Sequence, residues 1–272
     1  MRIPDWIIYL AALGVVLWAL FAAGPEADAP EPPPEVLAED GPLLPPPSVF
    51  DDQILVRVDE PKDGIGTAFA LNGEGDWLTA RHVVDGCGDV SLLVGPGQYV
   101  PASTVRVDED SDLALISTGR SPASVAFDFE REFRIGERGY HIGYPQGRPG
   151  EAASRLLARS KLVTSGKRRG EEPVLAWAEI GRTRGLVGSL GGLSGGPVLD
   201  SNGYVRGVIV AESPRRGRIY TAAPRSIESF LQESAVQLEP GRVRAIQERD
   251  YGRRADDARR SLRVVKVACR VS

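Results

Sequence analysis

The chain of 272 residues is 42% apolar and 26% charged, with a net charge of −4. The apolar fraction is too high for a wholly disordered chain, and the length allows one large domain or two small ones. The negative charge argues against a nucleic-acid-binding protein, because phosphate binding needs a basic surface. The chain has two cysteines and two histidines, which argues against a disulfide-rich scaffold and a metal site.

The amino-terminal region is strongly apolar, with no charged residue between positions 6 and 25. A helix needs about 20 mostly apolar residues to cross a bilayer, and Trp6 and Trp18 are typical of interfacial anchors. We expect residues 1–25 to form an uncleaved transmembrane signal anchor that contacts membrane lipid. A cleaved signal peptide and a buried core helix are the alternatives.

The flanks of the apolar run predict its orientation. Arg2 precedes the run, and no Lys or Arg lies between positions 24 and 48. Basic residues stay on the cytoplasmic side, which predicts a single-pass inner-membrane protein whose folded part lies in the periplasm or another extracytoplasmic space. Residues 26–49 are rich in proline and acidic residues, so we expect a disordered, extended linker there.

Short apolar runs separated by Gly, Asp and Asn fill residues 50–235, the predicted folded domain. Such spacing predicts an all-β sandwich or barrel. The clearest runs are residues 53–58, 67–71, 77–84, 90–94, 113–117, 139–143 and 205–211. Helical periodicity is convincing only at 224–235.

The last segment, residues 236–272, is a basic extension with ten basic and five acidic residues. Its pattern predicts a helix over 245–261 followed by a strand. The extension could pack on the domain, contact the acidic linker or anionic lipid, or present a solvated charged face.

Three residues are candidates for catalysis. Ser194 lies in a glycine-rich turn, GGLSGGP at 191–197, and such a turn lets a nucleophilic hydroxyl and two backbone N–H groups converge on one point. His82 ends an apolar run, a suitable place for a general base. Asp112 abuts another run, where a carboxylate can orient an imidazole. Taken singly, they could equally be a hairpin turn, a surface histidine and a solvated acidic loop.

The chain order of these residues discriminates between hydrolase classes. The nucleophile elbow of α/β-hydrolases requires the order Ser, acid, His, but both histidines, His82 and His141, precede Ser194. The order His82, Asp112, Ser194 on a β-rich chain is that of the trypsin/chymotrypsin family. We assign no catalytic role to His141.

At these residues the sequence resembles the trypsin/chymotrypsin family. The motifs that carry the resemblance are TARH at 79–82 and GLSGGP at 192–197 and, more specifically for bacterial HtrA-like (high-temperature-requirement) proteases, GIGTAF at 64–69, DLAL at 112–115 and IGYP at 142–145. The resemblance covers about 53–235. It implies two six-stranded β-barrels with a catalytic triad in the cleft between them.

The resemblance also implies a role for each catalytic residue. Ser194 would attack the peptide carbonyl, His82 would accept and return the proton, and Asp112 would orient His82. The backbone N–H groups of Gly192 and Ser194 would form the oxyanion hole.

Substrate binding is implied on two segments. The residues concerned are Gly188, Ser189 and Leu190 in the specificity pocket, and Val210, Ala211 and Glu212 on a strand that pairs with substrate backbone. Gly188 stands where trypsin-like members place an acid, so no Lys/Arg selectivity is expected.

The sequence departs from the family pattern in two places. Leu193 precedes the serine where Asp or Asn is usual, and the segment after Ser234 is too short for the PDZ module common in HtrA-like proteins. In an oxidising compartment Cys87 and Cys269 could pair and attach the tail to the first barrel; two buried thiols are the alternative.

We therefore predict a membrane-tethered extracytoplasmic serine endopeptidase that acts on proteins or peptides, without a metal or organic cofactor and without nucleic acid. A catalytically silent protease-fold scaffold at the membrane is the main alternative, and hydrolysis of a non-protein acyl group by the same triad is a third. The sequence makes no prediction of oligomeric state.

Overall fold

The computed structural model describes residues 41–271. The predicted anchor and most of the predicted linker lie outside these residues. Among residues 41–271, no helix is long and apolar enough to cross a bilayer.

The strands are β1 (Asp52–Val58), β2 (Gly64–Ala70), β3 (Asp76–Ala80), β4 (Asp89–Gly95), β5 (Gln98–Pro101), β6 (Thr104–Val107), β7 (Leu113–Ser117), β8 (Ala126–Phe127), β9 (Arg138–Gly143), β10 (Gly150–Gly166), β11 (Gly170–Arg182), β12 (Pro197–Leu199), β13 (Tyr204–Ser213), β14 (Arg218–Ala222) and β15 (Val264–Arg270). The helices are α1 (Arg81–Val84), α2 (Pro224–Glu233) and α3 (Tyr251–Arg260), with 3₁₀ turns at Pro145–Gly147 and Pro214–Arg216.

The strands form two barrel-like sheets, as predicted. In the second sheet the order is β10-β11-β14-β13-β12-β9, and β9 pairs again with β10. These six strands therefore form a closed ring, which leaves no unpaired edge along most of its length. β1 and β8 are added outside this ring as parallel neighbours of β10 and β13.

The first sheet differs from the expected six strands because it has seven, in the order β5-β4-β15-β2-β3-β7-β6. The additional strand is β15 from the carboxyl-terminal extension, which pairs antiparallel with β2 on one side and with β4 on the other. Val264, Val265 and Val267 are fully buried there. The extension thus packs into the domain.

A disulfide reinforces this arrangement. The sulfur atoms of Cys87 and Cys269 lie 2.00 Å apart, joining positions separated by 182 residues. Cys87 follows α1, and Cys269 lies in β15. The bond therefore attaches the carboxyl-terminal strand to the first barrel.

Each sheet contributes one tryptophan to the hydrophobic core. Trp77 of β3 and Trp177 of β11 are almost completely buried. Each indole N–H donates to a threonine hydroxyl at 2.9 Å, Trp77 to Thr118 and Trp177 to Thr221. A buried large apolar side chain contributes roughly 1.5–3 kcal/mol, and the indole bonds avoid the cost of an unpaired buried donor.

Two local predictions need correction. The helix expected over 245–261 begins only at Tyr251, because the Asp250 carboxylate accepts the Gln247 N–H at 2.8 Å and forms a turn just before it. At the other end of the chain, part of the predicted linker is ordered against the second sheet. Leu44 is buried, and its N–H donates to the Phe133 carbonyl at 2.8 Å.

Candidate active site

His82 and Asp112 are brought together by the pairing of two strands. β3 and β7 are antiparallel, with Ala80 opposite Leu113, so the residues that follow β3 and precede β7 are neighbours. The strand ends at Ala80, and His82 lies in the single helical turn α1, a detail that differs from the predicted strand-end position.

Asp112 holds His82 by two hydrogen bonds. Its Oδ2 lies 2.5 Å from His82 Nδ1, and its Oδ1 accepts the backbone N–H of His82 at 2.9 Å. Asp112 is 6% exposed, whereas the His82 side chain is 40% exposed. The pairing at Nδ1 leaves Nε2 of the imidazole for proton transfer.

The electrostatic environment strengthens His82 as a base. Burial opposes protonation of the imidazole, but the charge and hydrogen bond of Asp112 and the charge of Glu172 outweigh it, so the pKa of His82 is raised from its ordinary value of 6.5. A general base works best when its pKa lies near the working pH.

The loop that carries Ser194 requires glycine at two positions. Gly192 and Gly195 have φ angles of +99° and +83°, in the region that favours glycine. A Cβ on Gly195 would lie 2.2 Å from the Thr67 carbonyl oxygen, and one on Gly192 would lie 2.4 Å from the Tyr144 carbonyl oxygen. The glycine-rich motif therefore reflects close backbone packing around the serine.

Thr67 of the first barrel supports this loop of the second barrel. Its hydroxyl donates to the Gly192 carbonyl at 2.7 Å, and its N–H donates to the Ser194 carbonyl at 2.9 Å. The Thr79 hydroxyl in turn donates to the Thr67 carbonyl at 2.7 Å. The loop that carries Ser194 is thus bonded directly to the barrel that carries His82.

Two backbone N–H groups beside Ser194 are available as donors. The Gly191 carbonyl accepts from Gln146 N–H at 2.6 Å, so the N–H of Gly192 points the opposite way from that carbonyl across a planar trans peptide. Among the hydrogen bonds of residues 41–271, neither Gly192 N–H nor Ser194 N–H has a protein acceptor. Paired donors of this kind are suited to stabilising an oxyanion.

Among residues 41–271, the bonds of His82 run to Asp112 rather than to Ser194. Within the described part of the chain, no hydrogen bond joins the Ser194 hydroxyl to His82, whose bonds run to Asp112. Catalytic hydrogen bonds commonly shorten only when substrate binds.

A small, mostly apolar pocket lies beside Ser194. Its other lining residues are Leu190, Gly191, Leu193, Ile209, Ala211, Glu212 and Ile219. Of the residues predicted for substrate binding, Leu190, Ala211 and Glu212 line it. Gly188, Ser189 and Val210 do not, and Val210 is only 5% exposed, because it packs into the core.

Glu212 is tied to the wall of this pocket. Its carboxylate accepts the Leu190 N–H at 2.8 Å and also the Ser189 hydroxyl. The same loop is held on its outer side by Arg182, which donates to the Gly188 carbonyl at 2.8 Å. These bonds give Ser189 and Gly188 a role in shaping the pocket.

The strand beside the pocket has an open edge. β13 pairs with β12 only up to Val208, and residues Ala211, Glu212 and Ser213 pair with β14 on the other side alone. An extended peptide can add to such an edge by backbone hydrogen bonds.

Two residues that support the site were not predicted from the sequence. Glu172 of β11 accepts the Asp112 N–H with both carboxylate oxygens, at 3.0 and 3.1 Å. Burial and the nearby Asp112 charge raise the pKa of Glu172 to about 7, opposed by this hydrogen bond and by Arg168. No motif marks Glu172, which lies 60 residues from Asp112 in sequence.

The second missed residue, Gln146, directly follows the IGYP motif at 142–145. Its side-chain amide donates to the carbonyls of Val187 and Ser189 at 2.8 and 2.9 Å. Together with its backbone bond to Gly191, these contacts hold the pocket loop from outside. In the sequence, the only feature that points to Gln146 as a site residue is its position directly after this motif.

His141 lies away from these groups. It is fully buried in the second barrel, its Nε2 lies 2.7 Å from the Ser154 hydroxyl, and its ring packs edge-on against Trp177. Burial lowers its pKa to about 3. In residues 41–271, no group of three or more His, Cys, Asp or Glu side chains is arranged to hold a metal ion.

Comparison with known proteins identifies similar chains. A family model described as a trypsin-like peptidase domain matches residues 66–208. A probable periplasmic serine endoprotease DegP-like from Chlamydia pneumoniae is 28% identical over 148 residues, covering 54% of this chain and 28% of the relative. The periplasmic pH-dependent serine endoprotease DegQ of Escherichia coli is 27% identical over 169 residues, covering 60% of this chain and 34% of the relative. The matches thus span about a third or less of these relatives' lengths.

Solved structures share the fold. The active form of the Rv3671c protease from M. tuberculosis matches with a TM-score of 0.52 and 18% identity, over 73% of this chain and 96% of that chain. Its inactive form matches with a TM-score of 0.50 and 22% identity, over 64% of this chain and 89% of that chain.

Proposed function

Because the chain belongs to the trypsin-like peptidase family and is of the HtrA type, we propose that it is an endopeptidase whose catalytic residues are His82, Asp112 and Ser194. The observation that carries this proposal is the doubly hydrogen-bonded His82–Asp112 pair. Thr67 of the barrel that carries this pair is hydrogen-bonded to the Ser194 loop, in which the N–H groups of Gly192 and Ser194 have no protein acceptor among residues 41–271.

The proposed reaction has two stages. Ser194 Oγ attacks the carbonyl carbon while His82 Nε2 accepts its proton, and the Gly192 and Ser194 N–H groups stabilise the oxyanion. The tetrahedral intermediate collapses to an ester on Ser194, and His82 donates the proton to the departing amine. Water, deprotonated by His82, then attacks the ester carbonyl; the bond to Ser194 Oγ breaks, His82 returns the proton to that oxygen, and the carboxylic acid product leaves. Asp112 keeps the imidazole in the required tautomer throughout.

We propose a protein or peptide substrate with a modest apolar side chain before the cleaved bond. The apolar lining at Ile209 and Ile219 supports this preference. The Glu212 carboxylate is engaged by pocket-loop donors, which argues against strong selection for Lys or Arg. The open edge of β13 at Ala211 supports binding of the substrate backbone as an added strand.

We further propose a membrane-tethered, extracytoplasmic location, with residues 1–25 as anchor, 26–49 as a linker whose last part packs on the domain, 50–235 as protease domain and 236–272 as an extension that adds a strand to its first sheet. The apolar run supports the anchor, and the names of the relatives place those proteins in the periplasm. A paired Cys87–Cys269 fits an oxidising compartment. A reporter fused after Ser272 should be active only outside the cytoplasm; cytoplasmic activity would contradict this topology.

Labelling with a fluorophosphonate probe tests the catalytic proposal. The full chain in detergent should be labelled, while Ser194→Ala and His82→Ala should not. The control Ser229→Ala changes an exposed serine of α2 and should be labelled like the unmodified chain. Absence of labelling in the folded, unmodified chain would favour the scaffold alternative. Labelling accompanied by hydrolysis of simple esters but of no peptide would favour the acyl-hydrolase alternative.

A further inference from the structure

The hairpin formed by β10 and β11 reaches from the second barrel to the loop that carries Asp112. Arg168, at the hairpin tip, donates to the carbonyls of Glu109 and Ser111 at 2.8 and 3.2 Å. Glu172 accepts the N–H of Asp112. The hairpin therefore holds three backbone groups within four residues of this loop.

The position of Asp112 depends on these backbone bonds. Both oxygens of its carboxylate are occupied by His82. Its carbonyl accepts from Arg81 N–H at 3.0 Å, next to His82 in the first barrel. Among the hydrogen bonds of residues 41–271, the one from its N–H to Glu172 links Asp112 to the second barrel, which also carries Ser194.

The surroundings of Glu172 oppose ionisation of its carboxyl group. Glu172 is 5% exposed and faces the negative charges of Asp112 and Asp108, with Arg168 as the opposing cation and His82 beyond Asp112. A neutral side chain with an oxygen acceptor would accept the same hydrogen bond from Asp112 at a lower electrostatic cost. Local arrangements that reduce stability are typical of functional sites.

We propose that Glu172 is a positioning residue of the catalytic site. Its carboxylate fixes the backbone of Asp112 against the second barrel, and so aligns the Asp112–His82 pair with Ser194. This inference rests on the proposed peptidase function. Because Glu172 adds a second negative charge near His82, it also favours the imidazolium that forms when Ser194 loses its proton.

Substitution at Glu172 separates positioning from folding. Glu172→Ala leaves the buried Asp112 N–H without an acceptor, and we expect kcat to fall about tenfold while KM changes by less than roughly twofold. Glu172→Gln retains an oxygen acceptor and should recover most of kcat. The matched control is Glu171→Gln, an exposed neighbour paired with Lys161 at 2.9 Å, which should behave like the unmodified chain. A folded Glu172→Ala variant with unchanged kcat would overturn the proposal.

A second measurement does not depend on activity. The chain has only two histidines, and burial lowers the pKa of His141 to about 3. In histidine-labelled protein, the imidazole that titrates at the higher pH by NMR should therefore be His82. We expect Glu172→Gln to lower the pKa of His82 and Glu171→Gln to leave it unchanged.

The two measurements distinguish the two proposals. If Glu172→Ala does not fold, Glu172→Met, which fills similar space without an oxygen acceptor, tests the positioning role by the same fall in kcat, and an unchanged kcat overturns that role. An unchanged pKa of His82 in Glu172→Gln overturns the effect of the Glu172 charge on the imidazolium. If the pKa of His82 falls as expected but the unmodified chain is never labelled by the fluorophosphonate, the peptidase function fails while the coupling of Glu172 to His82 stands.

Discussion

Lys266 of β15 pairs with Thr67 of β2, the residue whose hydroxyl and N–H hold the Ser194 loop. The carboxyl-terminal strand therefore lies directly beside the strand that supports the proposed nucleophile. On its other side β15 pairs with β4. Removal of β15 would separate β2 from β4 and expose both strand edges, so the extension is part of the framework of the site.

The first prediction concerns packing of this strand. Val265 is fully buried, and Val265→Ala should lower the free energy of unfolding by about 2 kcal/mol, from lost burial and the cavity left behind. Arg270→Ala, at the exposed end of the same strand, should change it by less than about 0.5 kcal/mol. Urea denaturation measures both. Similar small effects from the two variants would contradict the placement of β15 in the first sheet.

The second prediction concerns the disulfide. Closing a loop of 182 residues restricts the unfolded chain, and removing such a bond typically costs about 2–5 kcal/mol. We expect the thermal midpoint of the protein to fall on addition of reductant. The Cys87→Ser, Cys269→Ser double variant should already have the lower midpoint and should not respond to reductant. Labelling of both thiols under denaturing, non-reducing conditions would show that the bond is absent.

The third prediction concerns the charge of Asp112. Asp112→Asn preserves the shape of the side chain but favours the wrong imidazole tautomer, so kcat should fall by about 10³–10⁴-fold. Because Asp112 raises the pKa of His82 above 6.5, the acid limb of kcat/KM should lie above that value in the unmodified chain. It should move to lower pH in the variant, since neutral His82 is the active base.

The neighbouring acid Asp110 provides the control for this experiment. It lies in the same loop and is exposed, and Asp110→Asn should leave both kcat and the pH profile nearly unchanged. An equal loss in the two variants would indicate a general effect of the acidic loop rather than the orientation of His82.

The fourth prediction concerns Gln146. Gln146→Ala removes the two donors that hold the Val187 and Ser189 carbonyls, so the pocket loop and the Gly192 N–H should be less well ordered. We expect the rate of fluorophosphonate labelling to fall about tenfold, less than the roughly 10²–10³-fold loss when an oxyanion donor is removed outright. Arg148→Ala, an exposed neighbour, should be labelled at the normal rate.

The catalytic motifs and the β-rich architecture could be predicted because their signals are local. Short apolar runs indicate strands, and the glycines around Ser194 reflect a backbone that only glycine tolerates. The match to the trypsin-like peptidase model confirms the family. By contrast, the apolar runs identified from the sequence include none between positions 150 and 182, where the β10–β11 hairpin carries Glu172. Its strands bear charged side chains at several positions, which interrupts the apolar pattern.

Long-range pairing explains the other omissions. The strand pattern at 264–270 is visible in the sequence, but nothing local determines that it inserts between β2 and β4, almost 200 residues earlier. The hydrogen bond from Asp112 to Glu172 likewise joins the two barrels. Such contacts depend on how strands are arranged in space, and a single sequence carries no direct record of that arrangement.

The last prediction concerns stability and pH. The pKa of Glu172 is raised from 4.5 to about 7 by burial and by Asp112, so the folded chain holds this proton more tightly than the unfolded chain does. The stabilisation of the fold by this bound proton is complete below about pH 4.5 and is lost as the pH rises to about 7. The difference between the pKa of Glu172 in the folded chain and its ordinary value corresponds to about 3 kcal/mol of unfolding free energy.

Comparison with Glu172→Gln isolates this contribution, because His82, whose pKa is also raised, titrates in both proteins. The variant and the unmodified chain should be similarly stable at pH 4, and the variant should be more stable by about 3 kcal/mol at pH 8. Urea denaturation at the two pH values measures this. If the variant is the less stable protein at pH 8, the ionised Glu172 stabilises the fold, and its charge then requires no functional explanation.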